Sequence, residues 1–113
     1  MSPMIVETLI AARAKLATGW VKGAYALNAK GIDVAPESPD ACRWCISGAV
    51  LAVMPRDIGD TPMLLRHAIG KGLPYPFAAN GGNIAGFNDA EETTHADVLA
   101  ALDRAIAFAQ AEP

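Results

Sequence analysis

The sequence is short of the residues that build strands. It has six valines and seven aromatic side chains (two Trp, two Tyr and three Phe) in 113 residues. β-Branched and aromatic residues are what a pleated, half-buried surface favours, so a strand-rich sandwich is poorly supplied. Positive charge is not in surplus either: nine Lys and Arg face twelve Asp and Glu, a net charge of −3. That leaves no basic footprint for a nucleic-acid backbone, and no direct contact with nucleic acid is expected. A charge of −3 is also too small to imitate DNA. Long hydrophobic runs are missing as well. The longest, residues 45–54, is broken by Ser47 and Gly48, and a membrane span needs about 20 apolar residues. The opening Met-Ser-Pro-Met-Ile-Val-Glu carries neither the positive n-region nor the apolar h-region of a secretory signal. The expectation is a cytoplasmic protein without membrane contact. Two cysteines are too few for a disulfide framework, and in that compartment they read as free thiols.

Alanine is what the chain has instead, 23 of its 59 apolar residues. Ala loses no side-chain entropy in a helix and lets helices approach closely. The hydrophobic period agrees. Ile5, Leu9, Ala12 and Leu16 mark one face of a helix from Met4 to Thr18, with Arg13 and Lys15 off the stripe near its negative end. Gly19 is a stop, and Trp20 follows where a large ring can close one side of the core. Over residues 24–34 the period shortens. Tyr25 and Leu27, then Ile32 and Val34, alternate around Asn28-Ala29-Lys30-Gly31, whose Asn and Gly supply positive φ. This predicts a short β-hairpin.

Ser38 as cap, Pro39 at the first position and Asp40 beside it open a helix over 41–54. It is apolar on nearly every side, as a buried, central helix is, with Gly48 allowing a close neighbour and Pro55 as its end. Asp60 or Thr61 caps a third helix to about Ile69, with Met63, Leu64, His67 and Ala68 towards the core. From Leu73 to Asn88 the chain is too rich in Pro and Gly for either period. A structureless stretch of that length is usually functional or mobile, and Pro74 to Asn83 reads as the most mobile internal part. Thr94 and Asp97 form a capping box for a last helix, whose stripe is Val98, Leu102, Ala105, Ile106 and Ala109. The fold expected is mainly α: a single domain over 1–113, about four helices around the 41–54 helix, and one hairpin at 24–34.

Cys42-Arg-Trp-Cys45 is the one short motif with a named chemistry. A C-x-x-C opening a helix after a buried strand makes a redox pair. Here it follows a Pro-rich lead and lies inside the expected helix, where the dipole fades, so small buried hydrophobes is the plainer reading. A zinc site from Cys42, Cys45, His67 and His95 would need two close ligand pairs, and the histidines are single and far apart. No metal and no cofactor are expected. A cysteine hydrolase would set Cys45 beside His67 or His95, with Asn88 or Asp89 orienting the ring. A thiol in apolar surroundings has a raised pKa and is inert, so Cys45, His95 and Asn88 stand as the alternative catalytic set. Asn80-Gly-Gly-Asn83 lacks the lysine and the strand-to-helix context of a phosphate loop. Glu91-Glu92 reads as surface charge before a helix.

Four blocks run through the chain: Gly19-Trp20-Val-Lys-Gly23-Ala24, Asp40-Ala-Cys-Arg43-Trp44-Cys45-Ile-Ser-Gly48-Ala49, Phe87-Asn88-Asp89, and Leu102-Asp-Arg-Ala-Ile106. With these the sequence resembles a small, uncharacterised family of bacterial and phage proteins, a domain of unknown function. The resemblance covers nearly the whole chain, implies no activity, and includes the second cysteine without requiring the first. Trp20, Asn88 and Asp89 are then either a scaffold or the lining of a pocket. The function expected is a small binding or regulatory module, of phage derivation by that resemblance, acting through contacts with a protein partner. Its binding residues would be Trp20, Tyr75, Phe77, Asn88 and Asp89; the alternative is an enzyme built on Cys45.

Overall fold

Helix α1 (Pro3–Thr18) forms where the apolar stripe predicts it and buries Ile5, Leu9, Ala12 and Leu16. It stops at Gly19, and the reason is space rather than a left-handed turn. Gly19 is extended at φ −176°, and a Cβ there would sit 2.1 Å from the Cys42 carbonyl oxygen. The structure, a computed structural model, describes residues 1–54 and 61–112.

The reversal at residues 28–31 forms. Asn28 N–H donates to the Ile32 carbonyl at 2.9 Å and Val34 N–H to Ala26 at 3.2 Å, with Gly31 at φ +78°. Strand β1 (Ala26–Leu27) carries a second partner on its other side, the antiparallel strand β2 (Arg43–Trp44). That pairing corrects the expected helix over 41–54. Cys42 N–H donates to the Leu27 carbonyl, Cys45 N–H to Tyr25, and Trp44 N–H to Gly19, while the Trp44 carbonyl accepts from Val21. Non-local partners on both sides outbid the local helix preference of residues 41–45. Ser38 accordingly closes only a turn, accepting from Asp40 N–H at 3.1 Å.

Helix α2 (Ile46–Val53) therefore starts later, with Cys45 as its N-cap. It is buried along one face, at Ile46, Gly48 and Ala49, whereas Leu51 is 47% exposed. Gly48 is required by close approach, since a Cβ would lie 1.9 Å from the Tyr25 carbonyl oxygen. Helix α3 (Thr61–Gly72) turns Leu65, Ala68 and Ile69 inward and leaves Met63 and Leu64 outside. Its face is thus one position on from the expected one. The expected end at Pro55 and the cap at Asp60 lie outside the described residues. Gly72 meets the last helix, where a Cβ would be 2.3 Å from the Ala101 carbonyl oxygen.

A 3₁₀ turn (Ala79–Gly81) and a short helix α4 (Ile84–Asp89) occupy the stretch expected to be structureless. Asn83 caps α4, its side-chain oxygen accepting from Gly86 N–H at 2.9 Å. Among the described residues the fold thus has five helices instead of four. Helix α5 (His95–Ala111) begins with the complete Thr94–Asp97 capping box and packs against both α1 and α3. The central place falls to α1 and α5 rather than α2: α1 packs against α2 and α5, and α5 against α1 and α3. Among the described residues, eighteen buried apolar side chains make one core cluster, and each fully buried Leu or Ile in it stabilises by about 1.5–3 kcal/mol. The radius of gyration is 13.1 Å, the size a compact chain of this length takes. The mainly helical fold with one small antiparallel pairing is the class the sequence implies.

Candidate functional site

Asn88, at the end of α4, is 2% exposed and makes four hydrogen bonds. Its Oδ1 accepts from the Trp20 indole at 2.9 Å and from Ile46 N–H at 3.0 Å. Its Nδ2 donates to the Val21 carbonyl at 3.1 Å and to Asp89 Oδ1 at 2.9 Å. Two donors and two lone pairs are all that a carboxamide has. One side chain thus joins the segment after α1, the start of α2 and the end of α4. Asp89 Oδ1 accepts a second bond, from Gly23 N–H at 3.0 Å. Lys22 closes the same corner, its Nζ donating to the Ala90 and Glu91 carbonyls and lying 5.6 Å from the Trp20 ring centroid.

In front of Asn88 lies a cavity of about 250 Å³ lined by Gly23, Tyr25, Cys45, Ser47, Ala85 and Asp89, among others. The Cys45 sulfur caps α2, accepting from Gly48 N–H at 3.2 Å. Burial pushes its pKa up, the amides of Gly48 and Ser47 pull it down, and the Asp89 charge pushes it up again. The net effect is upward, so the group is a neutral thiol at pH 7.

The structure brings together Cys45, Asn88 and Asp89, with Trp20 behind them. It does not bring a histidine to the cavity. His95 stacks on Trp20 at 5.8 Å between centroids, and its Nε2 lies 2.6 Å from the Leu16 carbonyl oxygen. A carbonyl only accepts, so Nε2 carries the proton there. His67 stands edge-on to Phe108 at 5.6 Å, on the α3–α5 side. The two cysteines are also apart: with β2 between them, three extended residue steps separate their Cα atoms by ~10 Å, beyond the ~7 Å a disulfide can bridge.

The other aromatic candidates lie elsewhere. Tyr75 is 89% exposed between Pro74 and Pro76. Phe77 packs edge-on against Phe87 at 5.7 Å. Together they border a groove of about 330 Å³ with Glu92, Asp97 and Arg104 on its polar side. A larger groove of about 640 Å³ runs between α2, α3 and α4, floored by Val50, Leu65 and Ile69.

Residues 1–108 match the model of a family of unknown function, DUF6197. The chain belongs to the DUF6197 family. Comparison with curated proteins and with solved structures gave no match. Among the described residues of this DUF6197 chain, no helix is long and apolar enough to cross a membrane. Nor do three or more His, Cys, Asp or Glu side chains gather there as metal ligands. Sequence reasoning missed Gly23, Ser47 and Ala85 as cavity walls. Gly23 and Ser47 stand in the blocks around the tryptophans, but neither carries a side chain whose chemistry announces a site.

Proposed function

We propose that the protein is a small binding module acting in the cytoplasm through contacts with a partner protein, with Tyr75 at the contact. The observation that carries this reading is the exposure of Tyr75 on a turn that is otherwise tied down. Ala78 N–H donates to the Pro74 carbonyl at 3.2 Å, Ala79 N–H to Pro76 at 3.1 Å, and Asn83 N–H to Phe77 at 2.7 Å. Phe77 anchors the turn on Phe87. Such a turn loses little further conformational freedom on binding, and a tyrosine offers an apolar ring with a hydroxyl at its tip, the profile of an interface anchor.

The alternative reading, an enzyme using Cys45, His95 and Asn88, has less support. The thiol is neutral, the Asn88 amide has no bond left with which to orient an imidazole, and His95 Nε2 faces Leu16.

The test is a photo-crosslinking residue at position 75 in living host cells, with position 30 on the 28–31 turn as control. A discrete protein adduct from position 75 and none from position 30 is expected. Folded, expressed protein that gives no discrete adduct from position 75 would overturn the reading.

A further inference from the structure

We propose that the cavity beside Cys45 is a binding site for a small organic cation, a primary ammonium group on a short apolar stem. This goes beyond the Tyr75 contact and does not depend on it.

Charge is the first argument. None of the residues that line the cavity is Lys, Arg or His, and Asp89 is the one carboxylate among them. A carboxylate accepts at about four lone-pair positions. Gly23 N–H and Asn88 Nδ2 take two of these, both on Oδ1. Among the described residues no cation pairs with Asp89, and Lys22, the nearby lysine, directs its ammonium to the Ala90 and Glu91 carbonyls. The two bonds on Oδ1 also fix the carboxylate group, so it meets a ligand already oriented.

Size and walls supply the rest. About 250 Å³ is the liquid volume of roughly eight waters, enough for an amine of a few carbons and too little for a nucleotide. Ala24, Tyr25 and Ala85 line the cavity with apolar atoms for the stem, and Ser47, also in the lining, carries a hydroxyl able to accept from an ammonium N–H. Because the Cys45 thiol stays protonated, it adds no second negative charge and behaves as part of the apolar wall.

Cys45 is also the reporter for the test. In a Cys42→Ser background it is the only thiol. n-Propylammonium is titrated at neutral pH, with n-propanol and propionate as neutral and anionic controls. Amide chemical shifts and the rate of Cys45 alkylation by iodoacetamide are both read. The expected result is a saturable shift at Gly23, Ala24, Tyr25 and Ser47 with n-propylammonium alone, together with severalfold slower alkylation. Asp89→Asn keeps an Oδ1 acceptor for Gly23 and Asn88 and should weaken binding by about tenfold or more. Ala85→Lys leaves every bond of Asp89 in place and, by setting a tethered ammonium at the cavity, should block binding even where Asp89→Asn does not fold. Equal response to n-propanol, unchanged binding in either folded variant, or no saturable shift would overturn the proposal.

Discussion

Two regions of this molecule use polar and aromatic residues in opposite ways. At the corner around Asn88, all but one oxygen of Asp89 is spent on structure: the carboxamide holds three segments, the Trp20 indole is bonded, and Lys22 ends α4. At the Pro74–Phe77 turn the backbone is hydrogen-bonded as well, yet Tyr75 holds nothing and faces solvent. Conspicuous residue types mark a functional site only when the fold leaves them unused. By that criterion Tyr75 and the free oxygen of Asp89 stand out, and Asn88, His95 and Trp20 do not.

The contrast can be broken most directly by Asn88→Ala. It leaves the Ile46 N–H, the Trp20 N–H and the Val21 carbonyl without partners in a buried corner, each costing about 1–3 kcal/mol. A loss of about 3–5 kcal/mol is expected in urea unfolding, and a loss below about 1 kcal/mol would show that the corner is not held by this side chain. Gly48→Ala comes next, because its Cβ must displace the Tyr25 backbone. Overpacking of this kind costs about 1–3 kcal/mol, readable as a lower denaturation midpoint. Tyr75→Ala, the counterpart at the turn, should change stability by less than about 0.5 kcal/mol while abolishing partner capture. A large loss of stability there would erase the distinction between the two regions.

The smallest expected effect sharpens the comparison by pH. Hydrogen bonds from the Thr94 backbone and hydroxyl hold the Asp97 carboxyl below its usual pKa. A carboxylate whose pKa is depressed on folding stabilises above its unfolded pKa, and loses that contribution as pH falls through the folded value. Asp97→Asn should therefore lower stability slightly at neutral pH and flatten its decline below about pH 4, the two proteins converging in acid. An unaltered acid limb would mean that the capping box does not couple to folding.

Much of the fold was legible because its signals are local. The stripe through Ile5, Leu9, Ala12 and Leu16 and the Thr94–Asp97 cap each declare a helix within a few residues of sequence, and both appear as expected. What the sequence hid is non-local. Trp44 is drawn into β2 by partners at Gly19, Val21 and Ala26, so residues 41–45 look helical alone and are extended in the fold. Consecutive leucines at 64 and 65 left the face of α3 ambiguous by one position. Helix α4 was concealed behind Asn80-Gly-Gly, although Asn83 is an ordinary N-cap. The cavity beside Cys45 follows from the same error: a thiol expected inside a helix is the cap at its start, where it faces open space.

The packing of α1 against α5 has a consequence for synthesis. The stripe of the first helix is not fully covered until the last helix has been made. Seventy-six residues separate Thr18 from His95, and at about 5–20 residues per second translation takes roughly 4–15 s to cross that distance. For those seconds Ile5, Leu9 and Leu16 stay partly uncovered on the nascent chain.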